Sequence, residues 1–203
     1  MPSLLPSLLL ATRNPGKVTE IASILEDSGW SFSSLQEFEN VESPDEDGET
    51  YSENAIVKAR FYAAVTGMHA LADDSGLEVE ALAGAPGVVS ARYAGENASD
   101  AERRELLLSE LAKTDDKVRR ARFVSVVAIA SPDGTVLNLS EGVCEGTITS
   151  GPRGTGGFGY DPLFIPDGYD QTFAELPESV KNRISHRARA LMKTNEFLKS
   201  LKS

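Results

Sequence analysis

Two adjacent carboxylates, Asp73 and Asp74, follow a short apolar segment at residues 68–72. Hard cations such as Mg²⁺ prefer carboxylate oxygens together with the phosphate oxygens of a substrate. Open α/β sheets bind ligands beside the carboxyl ends of their strands, which makes a metal site one interpretation of this pair. A solvated turn is the other, because the sequence Asp-Ser-Gly is common turn chemistry. The spacing alone leaves both interpretations open.

A turn that could hold an anion lies between the first apolar segment, residues 8–12, and a helical pattern. Backbone N–H groups at a helix N-terminus attract phosphate, and a lysine there adds a full positive charge. The segment lacks the second glycine and the Lys-Ser/Thr pair of the P-loop motif. A plain capped turn between a strand and a helix therefore remains the alternative. Its residues are Thr12, Arg13, Asn14, Pro15, Gly16 and Lys17.

An acidic stretch follows at residues 37–53, with eight acidic side chains and no Lys or Arg. Most of these carboxylates are expected to lie in a solvated loop, because like charges at this density repel one another. One or two of them, around Asp45, Glu46 and Asp47, could complete a metal site with Asp74.

A glycine-rich run occupies residues 151–159, where five of nine residues are glycine. Such a run lets the backbone approach a ligand closely, and Phe158 and Tyr160 are possible stacking faces for a ring. A hairpin or a bulged strand would show the same composition.

The C-terminal segment is basic, with seven Lys and Arg against one Glu from residue 181 onward. Lys181, His186 and Arg187 precede or open a helix, where side chains and N–H groups can converge on an anion. A solvated basic helix face is the alternative for the lysines further along.

The composition excludes several classes of protein. The 203 residues include 31 acidic and 20 basic side chains, a formal charge of −11, which disfavours binding to nucleic acid polymers. The single cysteine, Cys144, excludes a disulfide framework and suits a reducing compartment.

The apolar start is interrupted by prolines and is expected to be a buried strand rather than a signal peptide, and no later stretch predicts a membrane span. Cys144 and His69 are interpreted as structural residues.

Alternating strand and helix patterns must position these groups, which predicts an α/β fold in one domain. Helices are expected over residues 17–29, after the capping boxes Thr50–Glu53 and Ser99–Glu102, and after Ser185. Strands are expected at residues 8–12, around 30–32, and at 68–72, 77–81, 123–130, 135–139 and 143–149.

Six segments in one order resemble the inosine/xanthosine triphosphate pyrophosphatase (Ham1-like) family over residues 8–201. Six segments found in the family's order identify the family far more specifically than any single segment does. The segments are residues 12–17, Glu-Asp-Gly-Glu-Thr-Tyr-Ser-Glu-Asn-Ala at 46–55, Ala-Asp-Asp-Ser-Gly-Leu at 72–77, Gly-Ala-Pro-Gly at 84–87 with Ser-Ala-Arg-Tyr at 90–93, Gly-Thr-Gly-Gly-Phe-Gly-Tyr-Asp-Pro at 154–162 and Ile-Ser-His-Arg at 184–187.

The resemblance implies hydrolysis of the non-standard purine nucleoside triphosphates ITP, dITP and XTP to the monophosphate and pyrophosphate, which cleanses the nucleotide pool. It implies an elongated mixed β-sheet with helices forming two lobes around a central nucleotide-binding cleft, within a single domain over residues 1–203. It also implies a homodimer that uses Mg²⁺. Together with the composition, it predicts a cytoplasmic enzyme that binds neither a nucleic acid polymer nor a membrane.

Site residues follow from the resemblance by position. Asp74 would be the proton acceptor and a metal ligand, Glu46 the second metal ligand, and Ser75 a substrate contact. Residues 12–17 would hold the triphosphate, with Lys17 stabilising charge on the pyrophosphate leaving group. The base-binding residues would be Phe158, Gly159, Tyr160, Asp161, Lys181, His186 and Arg187.

ATP is expected to be a poor substrate, because the group at position 6 of its base has the opposite hydrogen-bonding polarity. Hypoxanthine and xanthine present a 6-keto acceptor to donors from His186 and Arg187, whereas the amino group of adenine would oppose those donors. An opposed buried polar group can cost several orders of magnitude in discrimination.

Two other functions stay open at this level. A nucleotide sensor without hydrolysis would keep the phosphate and base segments but would not need Asp74 or Glu46. A related pyrophosphatase for modified pyrimidine nucleotides would lack the segment at residues 184–187.

Overall fold

The structure, a computed structural model, describes residues 6–38, 41–115, 117 and 119–201. Within these residues there are six strands: β1 Ser7–Leu10, β2 Ser31–Ser34, β3 His69–Val79, β4 Arg120–Ala130, β5 Val136–Ile148 and β6 Phe164–Pro166. They form one sheet in the order β2-β1-β3-β4-β5-β6. β1 pairs in parallel with β2 and β3, and β5 pairs antiparallel to β6. The predicted α/β class with a mixed sheet is confirmed.

The described part of the chain has five α-helices: α1 Pro15–Ile24, α2 Tyr51–Thr66, α3 Asp100–Leu111, α4 Glu178–Ile184 and α5 His186–Ser200. α2 and α3 begin where the capping boxes predict, because Thr50 and Ser99 each accept the backbone N–H three residues on. Gly67 ends α2 in the left-handed conformation that glycine adopts without strain. None of the described helices is both long and apolar enough to cross a bilayer.

Several predicted boundaries are wrong. The two strands expected at 68–72 and 77–81 are the single strand β3, which continues through residues 73–76, and the two strands expected at 135–139 and 143–149 are the single strand β5. α1 begins at Pro15 rather than Lys17, because Asn14 caps it and proline fits the first helical position. α4 and β6 are short elements that the hydrophobic pattern did not indicate.

The chain divides into two compact units, each assembled from separated stretches. Unit 1 comprises the described residues up to Asp74, Ser125–Gly142, and the described residues from Arg187 onward. Unit 2 comprises the described residues of Ser75–Val124 and Val143–His186. Strands β3, β4 and β5 each contribute residues to both units.

Each unit has its own apolar core. In unit 1, Leu8, Ile21, Leu71 and Leu191 bring β1, α1, β3 and α5 into one cluster. In unit 2, the rings of Phe123, Phe164 and Phe173 lie 4.7–6.1 Å apart between centroids, and Leu107 and Leu111 of α3 join the same cluster. Burial of one face of each helix therefore fixes the elements that carry the polar residues described next.

Candidate active site

The turn at residues 12–17 is a capped helix start in unit 1. Asn14 Oδ1 accepts the N–H groups of Gly16 and Lys17 at 2.9 and 3.2 Å, and its backbone oxygen accepts the N–H of Val18 at 3.1 Å. Pro15 has no N–H to offer. The N–H groups that the sequence offered to an anion thus have an acceptor already, which leaves the side chains of Lys17 and Arg13 as the positive groups of this turn.

Asp73 lies at the centre of a buried ionic network in unit 1. Lys17 Nζ lies 2.6 Å from Asp73 Oδ2, and the Arg187 guanidinium donates to the same oxygen at 3.3–3.4 Å. Ser125 Oγ donates to Asp73 Oδ1 at 2.5 Å. Arg187 also donates to Glu20, so that two cations balance two carboxylates. Such pairing is what allows charges to be buried at all.

The network fixes the protonation of Asp73. Burial by itself would raise the pKa of this carboxyl, but the charges of Arg187 and Lys17 hold the pKa well below its usual range. Burial lowers the pKa of Lys17, although the charge of Asp73 opposes this. Asp73 is therefore a permanently ionised structural anion at neutral pH.

Asp74, the next residue along β3, has a different set of partners. Successive side chains of a strand point to opposite faces, and the cation that pairs with Asp74 at hydrogen-bond distance differs from those that pair with Asp73. Lys58 Nζ lies 2.8 Å from Asp74 Oδ1 and 3.0 Å from Glu46 Oε2, and it also donates to the backbone oxygen of Asp73 at 3.1 Å. Asn54 Nδ2 donates to Asp74 Oδ2 at 3.3 Å. Two carboxylates from distant parts of the chain thus meet on one ammonium.

Helix α2 positions these partners because Asn54 and Lys58 are four residues apart, one helical turn, on its buried face. Asn54 also accepts the N–H of Gly48 at 2.9 Å, which ties the acidic loop to the helix. A Cβ atom at Gly48 would lie 2.5 Å from Asn54 Oδ1, so only glycine allows this close approach.

The pKa of Asp74 moves in the opposite direction from that of Asp73. Burial raises the pKa of Asp74 above its ordinary value, and the charge of Lys58 only partly offsets it. Burial alone would lower the pKa of Lys58, but Asp74 and Glu46 outweigh that effect and raise it. Asp74 is thus the carboxylate of the pair with the greater affinity for a proton.

The acidic loop contributes one carboxylate to this cluster. Glu46 is half-buried and contacts Lys58, whereas Asp45 and Asp47 on either side are exposed. Elsewhere in the same unit, Arg13 donates to the backbone oxygen of Val41. The structure thus brings Glu46 and Asp74 onto the same ammonium, and their role as metal ligands stays a prediction.

The predicted base-binding residues of unit 2 form a second cluster. Lys181 Nζ lies 2.5 Å from Asp161 Oδ2 and 4.7 Å from the centroid of the Phe158 ring. Asp161 Oδ2 also accepts the N–H of Phe158 at 2.9 Å. The Tyr160 ring is buried in the core and its hydroxyl donates to the backbone oxygen of Ser90 at 3.0 Å, so that Phe158 is the half-exposed ring of the two.

The remaining predicted residues have varied surroundings. His186 is buried in unit 2, where its ring stacks on Phe123 with centroids 4.6 Å apart. Arg187 is buried in unit 1, on Glu20 and Asp73, and its expected role at the base stays a prediction. Thr12 and Ser75 are half-buried.

The sequence predicts no role for Lys58, Asn54 or Gly48, although Asn54 and Gly48 lie within the family segment at 46–55. A lysine within a helix is most often solvated, so the type of residue gave no signal. The spacing did contain a signal. Asn54 and Lys58 directly precede Ala55 and Ala59, which form the apolar face of α2 together with Tyr62, so both polar side chains lie beside that face. His69 and Cys144 do have structural surroundings, since His69 packs against Trp30 and Cys144 is buried.

Removal of Glu20 tests the ionic network around Asp73. We expect Glu20→Ala to lower the free energy of unfolding by about 3–5 kcal/mol, because it leaves Arg187 with an unbalanced buried charge. Chemical denaturation monitored by circular dichroism gives the value. Glu26→Ala, which removes an exposed acid from the residues after α1, is the control and should change the stability little. Equal effects of the two substitutions would contradict a buried network.

Known proteins resemble this chain in sequence and in structure over nearly its whole length. A "dITP/XTP pyrophosphatase" of Desulforamulus reducens is 52% identical over 194 residues, which cover 96% of each chain. A protein of the same name from Geobacter sulfurreducens is 50% identical over 94% of this chain and 96% of its own. The solved structure of a HAM1 protein from Coxiella burnetii has a TM-score of 0.88 at 43% identity, with 97% of this chain and all of that chain covered.

The sequence profile of the Ham1 family matches residues 8–197, nearly the whole chain. The match includes both carboxylates of β3, the acidic loop, the glycine-rich run and the start of α5. The chain belongs to the Ham1 family.

Proposed function

We propose that this protein hydrolyses dITP, ITP and XTP to the monophosphate and pyrophosphate, and so cleanses the nucleotide pool. The observation that carries the proposal is the convergence of Asp74 and Glu46 on Lys58 Nζ, at 2.8 and 3.0 Å. The names of the relatives from Desulforamulus reducens and Geobacter sulfurreducens support dITP and XTP as substrates.

In this proposal Asp74 is the proton acceptor that activates the attacking water. Two carboxylates whose surroundings push their pKa values apart are suited to different tasks. Asp73, with a lowered pKa, is a poor base, whereas the raised pKa of Asp74 brings it closer to the range of an effective one. Asn54 and Lys58 orient the Asp74 carboxylate through its two oxygens.

Asp74 and Glu46 would hold Mg²⁺, and the donor set fits that ion. Among the residues that the structure describes, no three His, Cys, Asp or Glu side chains form a complete protein cage for a metal. Mg²⁺ does not need one, since it commonly binds through one or two carboxylates, several waters and substrate phosphates. When bound, it supplies positive charge to the phosphate oxygens.

The triphosphate is assigned to residues 12–17 and Ser75. Because Asn14 caps the helix, the Lys17 ammonium is the group we expect to carry most of the charge stabilisation on the leaving pyrophosphate. The side chain of Lys17 is paired with Asp73 at 2.6 Å, which holds it in place before any substrate arrives.

The base is assigned to the residues that the family resemblance marks for it. Phe158 is proposed to stack on the purine ring, since its ring is half-exposed and has the Lys181 ammonium against it. Gly159, Tyr160 and Asp161 shape the backbone around that ring. His186 and Arg187 are proposed to discriminate the 6-keto group from an amino group, as the resemblance implies.

The alternatives are not favoured. A sensor without hydrolysis would have no use for two acids held on one buried lysine, and a pyrimidine-specific relative would lack the segment at residues 184–187. We also propose a single catalytic domain over residues 1–203, since both units are assembled from interleaved stretches. A cytoplasmic homodimer, without a nucleic acid polymer or membrane partner, completes the proposal.

Substitution of the two acids tests the catalytic assignment. We expect Asp74→Asn to lower the turnover of ITP by at least about 100-fold, the usual contribution of a general base. Glu46→Gln should also reduce turnover and raise the Mg²⁺ concentration required. Asp47→Asn, an exposed acid in the same loop, is the matched control. Pyrophosphate release measures all four proteins, and near-normal activity of Asp74→Asn would contradict the assignment.

The substrate range tests the rest of the proposal. Pyrophosphate release from ITP and XTP should exceed release from ATP by about 100-fold or more in kcat/KM, because polar mismatches are strongly rejected. Removal of Mg²⁺ with EDTA should abolish the activity, and added Mg²⁺ should restore it. Equal turnover of ATP and ITP would contradict the base assignment, and full activity in EDTA would contradict the metal site.

A further inference from the structure

The loop that carries Phe158 is held from two sides. Gly157 and Gly159 have φ values of 67° and 60°, the left-handed region that favours glycine. Asp161 holds one side of the loop, because its carboxylate accepts the N–H of Phe158 at 2.9 Å and its own N–H donates to the oxygen of Phe158 at 3.1 Å. These contacts are local in sequence.

Helix α3 holds the other side, from a distant part of the chain. Asp100 Oδ2 accepts the N–H of Gly159 at 2.7 Å, and Arg104 Nη1 donates to the oxygen of Gly159 at 2.6 Å. Asp100 and Arg104 are four residues apart and therefore lie on one face of α3. Hydrogen bonds with one charged partner are shorter and stronger than neutral ones. One carboxylate and one guanidinium thus bind the backbone N–H and the backbone oxygen of Gly159.

Asp100 is itself fixed in place. Arg103 Nη2 lies 2.5 Å from Asp100 Oδ1, and Arg103 Nη1 donates to the backbone oxygen of Ala91 at 2.6 Å. Burial alone would raise the pKa of Asp100, but the hydrogen bonds from Arg103 and from the Gly159 N–H hold that pKa below its ordinary value. The carboxylate is therefore ionised at neutral pH and oriented toward the loop.

We propose that Asp100 and Arg104 are positioning residues that fix the Phe158 ring for recognition of the purine base. The inference rests on the proposed function, in which Phe158 stacks on that base. Neither side chain needs to contact the substrate, since both act on the backbone of Gly159. The role goes beyond ordinary loop anchoring because all four backbone polar groups of Phe158 and Gly159 have a partner in unit 2.

Steady-state kinetics of Asp100→Ala and Arg104→Met test the proposal. We expect the KM for ITP to rise about tenfold, because a strong hydrogen bond that orders the loop is lost. The kcat should stay within about threefold, since the groups assigned to the chemistry lie in unit 1. Asp100→Asn should recover part of the KM, because its amide oxygen can still accept the Gly159 N–H. Glu105→Ala, which removes an exposed acid next to Arg104 on α3, is the matched control.

Product inhibition separates positioning of the base from a general loss of structure. IMP carries the base and pyrophosphate does not, so Asp100→Ala should weaken inhibition by IMP about tenfold and leave inhibition by pyrophosphate unchanged. Equal weakening of both inhibitors, or a fall in kcat at constant KM, would overturn the proposal.

Hydrogen exchange of the Gly159 amide, measured by NMR, tests the role of Asp100 without any substrate turnover. Wild-type protein that fails to hydrolyse ITP would refute the proposed function, but the positioning role would still be measured by NMR. We expect the Gly159 amide to exchange at least about tenfold faster in Asp100→Ala and at the wild-type rate in Glu105→Ala. An unchanged rate in Asp100→Ala would overturn the proposed role of Asp100.

Discussion

Burial of two adjacent carboxylates on one strand is the constraint on which unit 1 depends. An ion removed from water costs several kcal/mol unless it is paired and hydrogen-bonded. Asp73 and Asp74 are adjacent on β3, where successive side chains alternate between the two faces, and each is paired with different cations at hydrogen-bond distance. Helices α1 and α5 supply Lys17 and Arg187 to the first carboxylate, and α2 supplies Lys58 to the second. The positions of three helices are thus coupled to two residues of one strand.

The same constraint gives the two carboxylates different electrostatic properties. Asp73 has two cations and a hydroxyl donor, and its pKa is held low, so that it stays an anion that organises its surroundings. Asp74 has one cation shared with Glu46, and its pKa is raised by burial. Unit 2 also contains paired carboxylates. Asp100 and Asp161 each form an ion pair with a basic side chain, and both accept a backbone N–H of the loop that carries Phe158. In both units the ionised partners fix geometry for a neighbouring group.

Local sequence signals predicted those parts of the fold that local physics determines. The capping boxes at Thr50 and Ser99 located α2 and α3 to the residue, since the cap and its partner lie within one turn. The continuous strand β3 was not predictable in this way. Asp-Asp-Ser-Gly is turn chemistry unless distant cations neutralise the carboxylates, and those cations lie up to 114 residues away. The family resemblance singled out Asp74 and Glu46, whereas the position of Lys58 against both of them depends on tertiary packing of α2 that no short motif indicates.

The most direct test of this account is a carbon-13 NMR titration of the side-chain carboxyl groups of Asp73 and Asp74 in the magnesium-free protein. Asp74 should titrate above the ordinary value of an aspartate, whereas Asp73 should remain ionised well below it, to the point of acid unfolding. Two carboxyls that titrate together near the ordinary value, or in the reverse order, would contradict the division of roles between them.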